Sequence, residues 1–136
     1  MKKTKILIPL DASERSTHSI NWIKKYFDKS DIEITLMNVR EMIVAEDIII
    51  PAYPGYTEAG SDLVLDEAAM ELEEYEVEKF FTVGYVPDEI LKKAEEGSFD
   101  MIIMTKSTKK GLVRMIGSVT SKVIKNVKIP VTVLPQ

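Results

Sequence analysis

The sequence predicts a three-layer α/β protein, in which helices cover both faces of a five-stranded, mainly parallel, doubly wound sheet. The run 5–10 is mostly apolar and has apolar residues on both of its faces, which is typical of a strand that is buried on both sides. Along the rest of the chain, short apolar runs alternate with segments of helical periodicity. This alternation predicts right-handed β-α-β crossovers, which make the strands parallel.

The first half of the chain is predicted to form a strand, a helix, a second strand and a loop. Ser13 is a suitable N-cap for a helix that begins at Glu14, after which apolar residues recur at helical spacing. The segment 32–39 is rich in apolar residues and predicts the second strand. Two prolines and two glycines interrupt the segment 42–60, which is therefore predicted to be a long irregular loop.

The second half of the chain returns to a regular alternation. Ser61 is a suitable N-cap for a helix over about 62–75. Pro87 in a first turn, followed by two acidic residues, predicts the start of the next helix, and Gly97 is a suitable C-cap for it. The remaining predicted elements are strands at 77–83, 101–104 and 130–134 and a helix at 118–127.

Composition limits the classes of function that are open to this chain. Its 136 residues predict one domain, over 1–136. It has no cysteine and one histidine, His18, which argues against a zinc site or a catalytic triad, so no catalytic or metal-binding residue is predicted. The lack of cysteine suits a reducing compartment, and no apolar run approaches the ~20 residues that span a membrane. A cytoplasmic protein without a membrane partner is therefore expected.

Charge is distributed unevenly along the chain, although the formal net charge is only −4. The segment 62–78 holds eight acidic residues and no basic one, which is typical of a solvated helix face. The segment 106–128 holds seven basic residues and no acidic one. A small basic patch on a mildly acidic protein favours a small anionic ligand over a nucleic acid.

The last third of the chain is the most informative segment for function. The predicted strand at 101–104 is followed by a polar, basic loop, and then Gly117 and Ser118 open the last helix. The exposed N–H groups and the positive dipole end of such a helix start both favour an anion. Because ligands of doubly wound sheets bind beyond the carboxyl ends of strands, the sequence predicts a phosphate site here.

Five segments of the chain, in the same order, resemble the universal stress protein family. They are Ile6-Leu-Ile-Pro-Leu-Asp11-Ala-Ser13, Pro87-Asp-Glu-Ile-Leu, Asp100-Met-Ile-Ile-Met, Gly117-Ser-Val and Ile129-Pro-Val-Thr-Val-Leu. The resemblance is to single-domain members and covers nearly the whole chain apart from 42–60. It implies a Rossmann-like fold of the adenine nucleotide alpha hydrolase type. It also implies a nucleotide-binding regulator of the stress response. The sequence shows no acid–base pair, arginine finger or P-loop Gly-Lys-Ser/Thr for fast phosphoryl transfer, so at most weak ATP hydrolysis is expected.

The loop after the fourth predicted strand departs from the family's nucleotide-binding members, in which two glycines precede a Gly-Ser or Gly-Thr pair. With one deletion, Thr105 and Thr108 occupy the two glycine positions; without it, Met104 and Ser107 do. The first alignment is preferred because Met104 then ends the strand. Threonine is β-branched and fills space that glycine leaves open to a phosphate.

The resemblance also implies roles for residues outside this loop. Asp11 corresponds to the acidic residue that contacts the adenosine part of the nucleotide, although an aspartate here also suits a turn or helix cap. Pro9 and Leu10 correspond to its neighbours along the base, and Val39 to the residue whose backbone reads the adenine. The predicted nucleotide-binding residues are Pro9, Leu10, Asp11, Val39, Thr105, Lys106, Thr108, Gly117, Ser118 and Val119.

Two functions are therefore open. In the first, the chain binds ATP or a related adenine nucleotide, with Mg²⁺ held by phosphate oxygens and water. In the second, which the threonines favour, it is a dimeric interaction module without a nucleotide. In both, the family resemblance implies that the strand 130–134 pairs with its copy in a homodimer, and such pairing covers a strand edge that carries few charges. The segment 42–60 is open to three roles: a site for a protein partner, a lid over the pocket, or packing on its own domain.

Overall fold

The computed structural model describes residues 2–11, 16–45, 48–51, 58–105 and 118–135, with side chains over 2–11, 18–42, 63–105 and 118–135. These residues form six strands and four helices. The strands are β1 (Thr4–Pro9), β2 (Ile32–Ala45), β3 (Ile48–Pro51), β4 (Glu76–Gly84), β5 (Met101–Thr105) and β6 (Val131–Leu134). The helices are α1 (Ser16–Tyr26), α2 (Glu58–Glu71), α3 (Val86–Glu96) and α4 (Ser118–Asn126).

Five of the strands form one parallel sheet, in the order β4-β2-β1-β5-β6. β1 lies at its centre, with Ile6 opposite both Ile34 of β2 and Met101 of β5. After β1 the chain forms β2 and β4 on one side of it and then β5 and β6 on the other side, so the strand order reverses between β1 and β5. The prediction of a five-stranded, doubly wound sheet is confirmed.

Two helices cover each face of the sheet. α1 and α2 pack over one core, which contains Ile6 and Ile8 of β1. α3 and α4 pack over a second core, which contains Leu7 of β1 and Met37 of β2. β1 therefore contributes alternate residues to both cores, as expected for a strand that is buried on two sides. Within the described ranges, none of the helices is long and apolar enough to cross a membrane.

The prediction of an irregular loop over 42–60 is wrong for much of that segment. β2 continues to Ala45 and pairs antiparallel with β3, so that Ala45 lies opposite Ile48 and Met42 opposite Pro51. The physical reason is that two apolar, largely β-branched runs stand on either side of a two-residue connection, which is a hairpin pattern. Pro51 is compatible with a strand because it ends an edge strand.

The helix α2 also differs from its predicted bounds, since it covers 58–71 and not 62–75. It ends early because Tyr75 is held in a turn that is not helical. The Tyr75 N–H donates to the Leu72 carbonyl at 2.9 Å, and the Tyr75 hydroxyl donates to the Phe27 carbonyl at 2.8 Å. These bonds tie the start of β4 to the end of α1.

The helix α3 ends where the sequence predicts, but the left-handed residue is Ser98 and not Gly97. Gly97 is the C-cap with φ −85° and ψ −3°, whereas Ser98 has φ 53°. The Phe99 N–H donates to the Ala94 carbonyl and the Ser98 N–H to the Glu95 carbonyl, each at 3.3 Å. This is a Schellman motif, in which the residue beyond the cap adopts positive φ.

Two substitutions at this helix end are expected to change stability in opposite directions. Ser98→Gly should stabilise the fold by about 0.5–1 kcal/mol, because glycine adopts positive φ without steric cost. Gly97→Ala should destabilise it, because the new methyl carbon would lie 2.8 Å from Cδ2 of the buried Phe99. Urea unfolding of the two variants measures both changes. A gain from Gly97→Ala or a loss from Ser98→Gly would contradict this description of the helix end.

The turn between α1 and β2 is held by Asp28. Its Oδ1 accepts hydrogen bonds from the Ser30 backbone N–H at 2.9 Å and from the Ser30 hydroxyl at 2.8 Å. These bonds favour the ionised carboxylate. The backbone bond first, and then the hydroxyl bond, lower the pKa of Asp28 from its ordinary value of 3.8.

We expect the contribution of Asp28 to stability to depend on pH. Because its pKa is lower in the folded state, the carboxylate stabilises the fold above about pH 4 and loses that effect as the pH falls through the folded pKa. Asp28→Asn should therefore be less stable than the wild type at about pH 6, and the difference should shrink toward about pH 2. Thermal unfolding of both proteins across this range measures it, and a difference that does not vary with pH would count against the assignment.

Candidate functional site

The carboxyl ends of β1 and β5 meet where the strand order reverses. Pro9 is the last residue of β1 and Thr105 the last residue of β5. The two strands are parallel neighbours, so they end at the same edge of the sheet. From this edge the chain continues to α1 on one face and to α4 on the other. Divergence of this kind opens the crevice in which doubly wound sheets bind ligands.

Side chains on the α1 and α2 face change from apolar to polar toward this edge. In β2, the buried Leu36 is followed on the same face by Asn38 and then Arg40. In β5, the buried Ile103 is followed on the same face by Thr105. The edge therefore offers polar groups, while the middle of the sheet stays apolar.

Asn38 fixes the chain segment that follows β1. Its side chain is buried, and its Nδ2 donates to the Leu10 carbonyl at 2.8 Å. The Leu10 N–H in turn donates to the Met37 carbonyl at 2.7 Å. Together these bonds hold the backbone of Leu10 against β2, and so fix where Asp11 follows it. Asn38 is absent from the predicted site residues, although a polar residue within an apolar strand sequence is a usual sign of a buried hydrogen bond.

Thr105 is bonded to the first helix. Its hydroxyl oxygen lies 3.0 Å from the hydroxyl oxygen of Ser19, which is a buried residue of α1. The bond joins α1 to the end of β5, and it occupies the hydroxyl of a residue that is predicted to bind the nucleotide. Ser19 is also absent from the predicted site, because its partner is 86 positions away in the chain.

The helix α4 begins at Ser118, as predicted, and has no acidic residue in its first turn. α3, which begins at the same edge, carries Asp88 and Glu89 in its first turn. Acidic side chains offset the partial positive charge of a helix N-terminus. The start of α4 therefore keeps its attraction for an anion, whereas that of α3 is already offset by its own carboxylates.

Seven of the ten predicted site residues lie in the described part of the chain, and Lys106, Thr108 and Gly117 lie outside it. The seven lie on β1, β2, β5 and α4 and differ in exposure. Asp11 and Ser118 are exposed, Leu10 is buried, and Pro9, Val39, Thr105 and Val119 are half-buried. Among the described side chains, no group of three or more His, Asp or Glu is arranged to hold a metal ion.

Comparison with known proteins agrees with this architecture. A sequence model of the universal stress protein family matches residues 3–135. The universal stress protein MJ0531 of Methanocaldococcus jannaschii is 34% identical over 144 residues, which cover 96% of this chain and 81% of that protein.

Two solved structures are similar to the chain over nearly its whole length. One is a universal stress protein family protein of Arabidopsis thaliana with AMP bound, at TM-score 0.74 and 18% identity, covering 98% of this chain and 92% of that one. The other is a universal stress protein in complex with cAMP, at TM-score 0.74 and 17% identity, covering 99% and 98%. At these identities the likeness to the two structures establishes the fold alone. The family model and the 34% identical relative each match nearly all of the chain and establish the family. The chain belongs to the universal stress protein family.

Proposed function

We propose that this chain binds an adenine nucleotide at the carboxyl edge of β1 and β5, and regulates a stress response by changing conformation or partners. The proposal depends on two features that occur together. The strand order reverses between β1 and β5, and the helix that follows β5, α4, has no acidic residue in its first turn. A phosphate is the natural ligand of such a helix start. The relatives with AMP and cAMP bound share this fold, which supports an adenine nucleotide as the ligand class.

In this proposal the two halves of the ligand have different partners. The phosphates meet the N-terminus of α4 and the basic loop before it, through Lys106, Thr108, Gly117, Ser118 and Val119. The nucleoside half meets the end of β1, through Pro9, Leu10 and Asp11, and the part of β2 just beyond it, through Val39. If the ligand is ATP, Mg²⁺ is held mainly by its phosphate oxygens and by water. The protein acts as a regulator in a cytoplasmic setting, with at most slow hydrolysis.

Ser118→Glu tests the phosphate half of the site. A glutamate in the first turn of α4 favours the helix but repels a phosphate at its N-terminus. We expect the wild type to bind ATP with a Kd in roughly the micromolar range, and the variant to bind about tenfold more weakly. Calorimetric titration with ATP and Mg²⁺ measures both values.

Asn21→Glu is the matched control, because it adds the same charge at an exposed position of α1. Its affinity for ATP should equal that of the wild type. If Ser118→Glu also bound like the wild type, the phosphate would not lie at the start of α4. If the wild type gave no heat up to millimolar ATP, nucleotide binding itself would be excluded.

We also propose that the protein is a homodimer that pairs through β6, which ends the sheet order. The Ile102 N–H donates to the Pro130 carbonyl at 3.0 Å. Because backbone groups alternate along a strand, those of Thr132 also face β5, whereas those of Val133 face the open edge. An open edge with few charges is a ready surface for pairing with a second strand.

Val133→Pro is expected to convert the dimer into a monomer that remains folded, because it removes an N–H that faces the edge. Thr132→Pro should instead weaken the fold, because it removes an N–H that faces β5. Sedimentation velocity gives the oligomeric state, and circular dichroism reports the fold. A wild type that is monomeric, or a Val133→Pro variant that remains dimeric, would exclude pairing through β6.

A second candidate function is that of a dimeric interaction module of the same fold without a nucleotide. The observation that favours it is Thr105, whose hydroxyl is bonded to Ser19 and whose branched side chain stands where the family resemblance calls for glycine. In that case the hairpin of β2 and β3 becomes the surface for a protein partner. A dimer that gives no heat with ATP would select this function over the first.

A further inference from the structure

The side chain of Arg40 carries a buried donor that is not satisfied. Within the part of the chain that the structure describes, its Nε is buried and has no hydrogen-bond partner. The guanidinium stays protonated in proteins, so Nε always carries a hydrogen to donate. A buried donor without an acceptor lowers stability by about as much as a lost hydrogen bond. A ligand that brings an acceptor to such a donor gains a hydrogen bond without breaking one inside the protein.

Arg40 lies at the same edge of the sheet as the proposed site. It follows Val39 in β2, lies opposite Val83 of β4, and shares a face with Asn38 two residues earlier. The pairing of β1 with β2 ends at Pro9, opposite Met37. Arg40 is therefore beyond the end of β1, on the β2 side of the crevice.

The spacing of the strands decides which half of a nucleotide reaches Arg40. β2 and β5 flank β1, so the two strands run about 10 Å apart. A phosphate at the start of α4, which follows β5, leaves the base as the part of the ligand that extends toward β2. Adenine presents three ring nitrogens as hydrogen-bond acceptors along its edges. The Nε donor of Arg40, which lacks an acceptor, and the ring nitrogens of the base thus fall on the same side of the crevice.

We propose that the Nε–H of Arg40 donates a hydrogen bond to a ring nitrogen of the bound adenine. This inference rests on the proposed nucleotide-binding function and adds a base-recognising residue to it. Among the described residues the donor has no partner, and the bound base would supply one. The chain therefore holds at Arg40 a group that favours the ligand-bound state over the free state.

The test compares Arg40→Met, Arg40→Lys and Lys92→Met with the wild type. Arg40→Met removes the donor, and Arg40→Lys keeps the charge but not the Nε geometry. Lys92→Met is the matched control, because it removes the same charge from an exposed position of α3. Each protein is titrated with ATP, AMP and adenosine, and its thermal unfolding is recorded without ligand.

We expect both Arg40 variants to bind all three ligands about tenfold more weakly, because the lost bond is to the base that the ligands share. Lys92→Met should leave all three affinities unchanged. Without ligand, Arg40→Met should unfold no earlier than Lys92→Met, because the Nε has no hydrogen bond to lose among the described residues. In deaza analogues of ATP, the one that lacks the contacted nitrogen should bind the wild type and Arg40→Met equally well.

Four results would overturn the inference. Equal affinity of the wild type and Arg40→Met would exclude the contact, and a loss confined to ATP and AMP would assign Arg40 to the phosphates. Full rescue by Arg40→Lys would mean that charge alone matters. Unfolding of Arg40→Met well before Lys92→Met would assign Arg40 to a structural ion pair. A wild type that binds none of the three ligands would instead remove the proposed function, and this inference with it.

Discussion

The burial of β1 between two strands and two helical layers is the constraint on which the rest of the structure depends. Ile6, Leu7 and Ile8 are fully buried, and consecutive residues face opposite cores. Burial of each such side chain contributes about 1.5–3 kcal/mol, so a shift of β1 by one residue would disturb both cores together. At the carboxyl end of β1 the chain continues to α1 on one face, and at the neighbouring end of β5 it continues to α4 on the other face. The location of the crevice is thus a consequence of how the core is packed.

The polar groups at this edge divide into satisfied and unsatisfied ones. Asn38 bonds to the Leu10 carbonyl, and the Ser19 and Thr105 hydroxyls bond to each other. These bonds are complete within the protein, so they hold the edge in one geometry whether or not a ligand is present. The Nε of Arg40 is the exception in the described chain. A rigid edge with one unsatisfied donor is a suitable arrangement for a ligand that must be recognised rather than merely enclosed.

The sequence is sufficient for the fold because two-sided burial and helical periodicity are local signals. They predict the parallel strands and the start of α4 close to where the structure has them. The hairpin at 42–51 escapes prediction because the prolines and glycines at 51–60 outweigh the apolar runs that precede them. Ser19 and Arg40 escape for a different reason. Their roles depend on strand register and on partners far away in the chain, neither of which a single sequence displays. Lys106, Thr108 and Gly117 lie outside the described residues, so their predicted roles stay predictions.

Amide chemical shifts recorded during titration with AMP test the central claim most directly, because they locate the ligand without any substitution. Binding at the crevice predicts that the amides of Leu10, Asp11, Thr105 and Ser118 shift with one common affinity. Amides at the amino ends of the strands, such as that of Asp100, should keep their chemical shifts. Shifts confined to the amino ends of the strands, or no shifts up to millimolar AMP, would contradict an adenine nucleotide site between β1 and β5.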